Sequence, residues 1–407
     1  MPNQGPTPAT RGRRPPAWLA AAPAVLLLAW GGNHFTPLLH LYETLGDYTA
    51  WQANLLLGTY VAGLVPGLLV AAALSDRHGR KPVLAIGVGL SILGSVLLAV
   101  GLHDFVLLCI GRAFAGAGVG IAMSVGTSWM KELSSAPFET GTAPAAGAKR
   151  PALTLTLGFG VGAAATGLLA QWGPAPAVTP YVLHIALSTF AFIPLLRTPE
   201  SLGRHARATE AWWRDLRVPA AGHRRFTRLV LPAAPWVFAA AGIAYAVMPA
   251  VVEAQLGETA TLYATVLTVV TLGTGAVVQS FVPRIDRATG GRALTVGLSL
   301  MTGGMLLAAL AAQTEHAVLA LIVAALLGAA YGITIVAGLV HVQAIATPQD
   351  LAGLTGVYYS LTYIGFLLPA LLAALLPLVS YAGSLLAVAA VAALSLGLVA
   401  GASRGRG

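Results

Sequence analysis

The stretch VAAALSDRHGRKPVLAIGVGLSILGSVLLAV (70–100) decides the fold. From Val83 to Val100 it holds no charged residue. A helix needs about 20 mostly apolar residues to cross the hydrocarbon core of a bilayer. Before this run stands a short charged turn, and before the turn stands the end of another apolar run. The apolar residues do not alternate with polar ones, as the roughly 10-residue strands of a membrane barrel do. In lipid the backbone must satisfy its own hydrogen bonds, which leaves helices as the remaining choice. Residues 70–100 therefore read as two membrane helices joined by a tight polar loop.

The same pattern recurs along the chain. Apolar runs are read at 17–38, 51–74, 82–101, 105–129, 152–172, 178–196, 229–251, 261–282, 293–312, 317–341, 352–376 and 380–401. They are numbered here as spans 1 to 12. The composition agrees: 57% of the 407 residues are hydrophobic and 9% are charged, against about 25% charged in soluble domains. The expected fold is an all-α membrane protein of twelve transmembrane helices in two pseudo-symmetric halves of six. Residues 17–196 form the first half and 229–401 the second, with a linker at 197–228 and tails at 1–16 and 402–407. The tail MPNQGPTPATRGRRPP resembles the start of a signal peptide, but no small-residue cleavage site follows it. It is read as a tail before span 1.

Charge sets the orientation. Arg11, Arg13 and Arg14 precede span 1, and Arg77, Arg80 and Lys81 follow span 2. Lys131, Lys149 and Arg150 follow span 4, and Arg284, Arg287 and Arg292 follow span 8. Arg197, Arg204, Arg207, Arg214, Arg217, Arg224, Arg225 and Arg228 fill the linker, and Arg404 and Arg406 the final tail. With twelve spans, all of these lie on one face. The opposite loops carry Glu43, Asp47, Asp104, Glu253, Glu258 and Glu315, and no Lys or Arg. The positive-inside rule then puts both termini in the cytoplasm of a cell membrane. The net charge of +9 is a topology signal, and nucleic-acid binding drops out. Arg112 alone stands inside a span. The linker sequence WWRDLR (212–217) reads either as a helix on the membrane surface or as a solvated basic loop.

The halves repeat a motif. LSDRHGRK (74–81) lies between spans 2 and 3, and PRIDRATGGR (283–292) between spans 8 and 9. Asp76-Arg77 and Asp286-Arg287 hold equivalent places. LSDRHGRKP resembles motif A of the major facilitator superfamily, with Asp76, Arg77, Gly79, Arg80 and Lys81 in register and Ala72 where a glycine is usual. GRAFAGAGVG (111–120) is similar to that family's motif B, carried by Arg112, Gly116 and Gly118. GFGVGAAATG (158–167) keeps the glycines Gly158, Gly162 and Gly167 of motif C, the antiporter signature, but has Ala163 where its proline stands. The resemblance covers the whole chain and fits the twelve-helix drug:proton antiporter branch best. It implies a cytoplasmic latch at motif A that holds an outward-open state, and a substrate site midway between the halves.

No carboxylate lies at the centre of a span. The resemblance thus assigns proton coupling to Arg112 with His34 or Glu253 as carrier; His184 and His341 are the other histidines at membrane depth, read as packing. Asn33, His34, Tyr245, Tyr331, Tyr359 and Tyr363 are the expected substrate-binding residues, because polar and aromatic side chains at membrane depth suit a cavity of mixed polarity. There is no phosphate loop, Cys/His metal set or nucleophile elbow, and Cys109 is the single cysteine, so no enzyme, cofactor or metal is expected. The expected function is proton-coupled efflux of small amphipathic compounds by alternating access. The alternative is proton-coupled or facilitative uptake of a nutrient or metabolite. Expected partners are the substrate, protons and membrane lipid, with the protein a monomer.

Overall fold

A computed structural model describes residues 16–140, 146–203, 218–347 and 351–404. The WWRDLR segment lies outside the described residues. All regular structure among the described residues is helical. Among the described residues, ten helices are long and apolar enough to cross a membrane. One of them, Phe226–Gln279, is two spans, because the chain folds back at the turn Gly257–Thr259, where Gly257 has a φ of 51°. Span 1 is split: helix Trp18–Asn33 is followed by the turn Thr36–Leu38 and helix Leu39–Leu45. The structure therefore carries all twelve spans.

Prolines set where spans bend. A proline inside a helix removes one hydrogen bond and clashes with the carbonyl four residues earlier. Pro37 stands four residues after Asn33, where the first helix ends. Pro249 stands four residues after Tyr245, inside the π-helical turn Ile243–Val247 of span 7. Pro369 stands four residues after Gly365, where span 11 breaks between helices Leu351–Ile364 and Leu367–Leu375. All three irregularities adjoin residues that line the central cavity: Asn33 and Thr36, Tyr245, and Tyr363 and Phe366.

The packing is pseudo-symmetric. Span 2 packs on span 4, span 3 on spans 4 and 6, and span 1 on spans 5 and 6; span 8 packs on span 10, and span 9 on spans 10 and 12. The two most extensive contacts between the halves are span 2 with span 11 and span 5 with span 8. They are equivalent positions in the two repeats. Spans 2 and 4 cross so closely that a Cβ added at Gly116 would stand 1.9 Å from the Tyr60 carbonyl oxygen, and one at Gly63 1.8 Å from that of Ala113. Small residues at such crossings let helix backbones touch where lipid gives no hydrophobic drive. The glycines of the motif C stretch do similar work: Gly158 and Gly162 face span 1, and Gly167 faces Thr265 of span 8.

Candidate functional site

A cavity of about 50 Å³ lies between the halves, lined in part by Asn33, Thr36, Tyr60, Arg112, Tyr245, Tyr331 and Tyr363. One water needs roughly 10–15 Å³ of such space, so a few waters fit and a larger solute does not. Both halves contribute. Phe238, Tyr363 and Phe366 of the second half form an aromatic wall, with Phe238 stacked on Tyr363 at 4.1 Å and on Phe366 at 4.8 Å between ring centroids. The described lining contains no carboxylate.

Arg112 is 1% exposed. Its guanidinium sits between the rings of Phe35 and Tyr60, 4.4 and 4.6 Å from their centroids. Nε donates to the Leu56 carbonyl at 3.1 Å and Nη1 to the Gly32 carbonyl at 3.4 Å. The Gly32 carbonyl is available because it lies in the last turn of the first helix, whose carbonyls lack helical partners. An arginine has five N–H donors, so a buried, ring-held cation keeps donors for an oxygen in the cavity. Asn33 is held too: Nδ2 donates to the Phe159 carbonyl at 3.1 Å, and Oδ1 accepts from the Thr36 hydroxyl at 3.0 Å.

The structure brings Asn33, Arg112, Tyr245, Tyr331 and Tyr363 together at the cavity. His34 is not there, and its expected place in the lining is corrected. The helix turn that points Asn33 inward turns His34 into the first half, where it is 0% exposed. Its ring meets Tyr181 at 4.8 Å and His184 at 4.9 Å. His184 is fixed, with Nε2 2.9 Å from the Leu27 carbonyl and Nδ1 2.8 Å from Ser95 Oγ. A carbonyl only accepts, so Nε2 carries the proton and Nδ1 accepts from the serine.

Glu253 is also outside the cavity. It stands at the acidic end of the seam, with His40 Nδ1 3.1 Å from its Oε1, in a separate pocket that includes Glu43. The geometry therefore does not gather Arg112, His34 and Glu253 into one proton-exchanging group.

Tyr359 lines a different space. On the basic side a vestibule of about 490 Å³ opens between spans 2 and 4 of the first half and residues 351–359 of the second, with Asp76 at its rim. Met123 lines the vestibule, and Tyr363, which lines the cavity, donates its hydroxyl to Met123 Sδ at 3.3 Å. One layer of side chains thus separates the two spaces.

Motif A forms a network inside the first half. Gly79 has a φ of 103°, which makes the turn between spans 2 and 3 one that favours glycine. Arg80 bridges Asp76 at 2.5 Å and Glu132 at 3.0 Å. The Glu200 carboxylate accepts from the backbone N–H groups of Arg80 and Lys81, both at 3.0 Å, and so caps span 3. Lys81 Nζ donates to the Leu196 carbonyl at 3.1 Å, and Arg77 Nη1 to that of Ala73 at 2.8 Å. In the second half Asp286 itself caps span 9, accepting from Ala293 N–H at 3.1 Å. The contacts of Asp76, Arg80 and Lys81 described here are with residues of the first half. Sequence reading missed Glu132 and Glu200; their signal is that they are acids on a face otherwise crowded with arginine. Glu132→Gln is expected to lower the unfolding free energy by about 1–2 kcal/mol, since a half-exposed charged hydrogen bond is lost. Thermal unfolding in detergent checks this.

A profile of the Major Facilitator Superfamily matches residues 21–370. The chain belongs to this superfamily. Solved members share its fold: the nucleoside transporter NupG superimposes with a TM-score of 0.69 at 13% identity, over 94% of this chain and 97% of that one. The xylose transporter XylE of E. coli, in a partially occluded inward open conformation, gives 0.65 at 18% identity, over 93% and 95%. Among curated proteins, the high-affinity gluconate transporter of Schizosaccharomyces pombe is 24% identical over 102 residues, which is 25% of this chain and 18% of that protein. A probable polyol transporter of Arabidopsis thaliana is 34% identical over 85 residues, 21% and 16% of the two chains. The matched part of this chain thus spans less than a fifth of these relatives. None of the relatives named here is a drug exporter, so the antiporter branch suggested by the sequence gains no support from them.

Proposed function

We propose that the chain carries a small polyhydroxylated solute, neutral or singly anionic, across the membrane by alternating access in the uptake direction. The observation that carries this reading is the cavity itself: four tyrosines, Asn33 and Thr36 around one arginine, with no carboxylate in the described lining. Hydroxyl-rich solutes need many donors and acceptors and a flat apolar surface for their C–H faces. Tyrosines and the stacked wall of Phe238, Tyr363 and Phe366 offer both. A cationic drug would meet Arg112 with nothing to neutralise it. The gluconate and polyol relatives support the same solute class.

The positive-inside rule puts the basic face in the cytoplasm. The vestibule then opens inward, the acidic seam is closed, and the Tyr363–Met123 contact is the last layer before release. Because the described lining holds no carboxylate to exchange a proton, the passage is facilitative. Arg112 is a fixed substrate contact in this reading. A protonophore is expected to leave the initial uptake rate within about twofold of control, where loss of a coupled proton gradient costs about 1.4 kcal/mol per tenfold.

The direct test is ligand stabilisation. The purified protein is heated with hexoses, pentoses, polyols, sugar acids and amphipathic cations. At about 100 times its dissociation constant a true ligand adds about 2.7 kcal/mol, and a polyol or sugar acid is expected to do so. Stabilisation by the amphipathic cations alone would favour the second reading, efflux of amphipathic compounds, to which the aromatic wall also lends itself.

A further inference from the structure

Outside the central cavity, three metal-ligating side chains meet at the acidic end of the seam. His40 and Glu43 share the helix Leu39–Leu45. Their three-residue spacing puts them on one face. Glu253 faces them from the end of span 7, helix Met248–Leu256. One donor atom from each residue lies within 4.8 Å of the others. His40 Nδ1 is shielded from solvent and faces Glu253 Oε1 at 3.1 Å. The loops on this face hold no Lys or Arg, so His40 is the basic side chain placed to balance the two carboxylates. The three residues line one pocket of about 20 Å³. That is room for a single water-sized occupant.

We propose that His40, Glu43 and Glu253 bind a divalent cation of the zinc type, which ties the end of span 1 to span 7 and holds the acidic side of the seam closed. One imidazole and two carboxylates are a donor set that zinc accepts, with bonds of about 2.0–2.2 Å and a fourth position left to water. Tetrahedral donors at those lengths stand about 3.3 Å apart. The His40–Glu253 contact already meets this, and rotation of the Glu43 carboxylate brings in the third. Magnesium and calcium want six or more oxygens, which this pocket does not supply, and imidazole favours the later transition metals. Two ligands come from the first half and one from the second. The ion therefore binds only when the seam is closed, and its differential affinity shifts the population toward that state.

The test uses the full chain purified in detergent and titrated calorimetrically with zinc chloride. The expected result is one ion per chain, with affinity at least tenfold weaker in each of His40→Gln, Glu43→Gln and Glu253→Gln. The exposed histidines His103 and His316 serve as controls, and His103→Gln and His316→Gln are expected to bind as the wild type does. Magnesium chloride at the same concentration is expected to give no binding. Wild-type protein that binds no zinc overturns the proposal. So does zinc binding that survives all three ligand variants, each checked for an unchanged gel-filtration profile. The locking role rests on the transport reading and is measured separately: zinc is expected to slow flux in wild type and not in His40→Gln, and equal slowing of both overturns the lock. The calorimetric result stands whether or not a substrate has been found.

Discussion

Arg112→Ala is expected to give a folded, membrane-inserted protein that moves its substrate roughly 100-fold more slowly, since a charged hydrogen bond to a buried partner contributes about 1.5–3 kcal/mol and each 1.4 kcal/mol is tenfold. The stability side of this result separates function from structure. The side chain is buried and held by two backbone carbonyls and two rings. None of these contacts neutralises it. Removing an arginine from the middle of a span removes an insertion cost of about 2.5–3.5 kcal/mol, which offsets the lost contacts. The unfolding midpoint is therefore expected to stay level or rise while transport collapses. A purely structural arginine gives the opposite pattern, a lower midpoint with flux falling in step. Arg112→Lys keeps the charge but not the planar fork of donors, and is expected to recover only a small part of the rate.

Gly116→Val has the largest expected effect on folding. Its Cβ would stand 1.9 Å from the Tyr60 carbonyl oxygen, a backbone atom that no rotamer change can move. Spans 2 and 4 must separate, and Tyr60 and Arg112, which meet across this crossing, separate with them. The cost is expected to be about 3 kcal/mol or more, at the upper end of overpacked cores, read as loss of monodisperse protein after extraction. Gly160 supplies the control. A Cβ there meets nothing within 4 Å, and Gly160→Val is expected to fold and transport normally. Both substitutions add the same side chain to a membrane helix, so the difference between them isolates the crossing.

Much of this was legible in the sequence because lipid is a strict solvent. The run 83–100 and its counterparts gave the helices, and the placing of every basic residue but Arg112 gave their count. Arg112 was found as the residue that topology does not explain, and it lies at the cavity. The residues around it were harder. Asn33 and His34 are neighbours in the sequence, yet one lines the cavity and the other packs against Tyr181 and His184. A single helical step of rotation separates the two outcomes, and nearly uniform hydrophobicity leaves that rotation unmarked. Tyr359 was misplaced along the membrane normal for a related reason, since depth is blurred in apolar sequence; Glu253 was rightly read at the end of span 7, but there it stands apart from Arg112. A sharper signal was present and went unread. Pro37, Pro249 and Pro369 each stand four residues beyond a break that borders the cavity, and together they point to it.

The central claim is that a polyhydroxylated solute crosses between the halves past Arg112. Uptake into proteoliposomes tests it most directly, with labelled hexoses, polyols and sugar acids offered one at a time to wild type and to Arg112→Ala. The account predicts saturable uptake of at least one of these solutes by wild type, roughly 100-fold slower in the variant and unaffected by a protonophore. Uptake that is equal in the two proteins would contradict it, as would flux confined to amphipathic compounds and driven by a proton gradient.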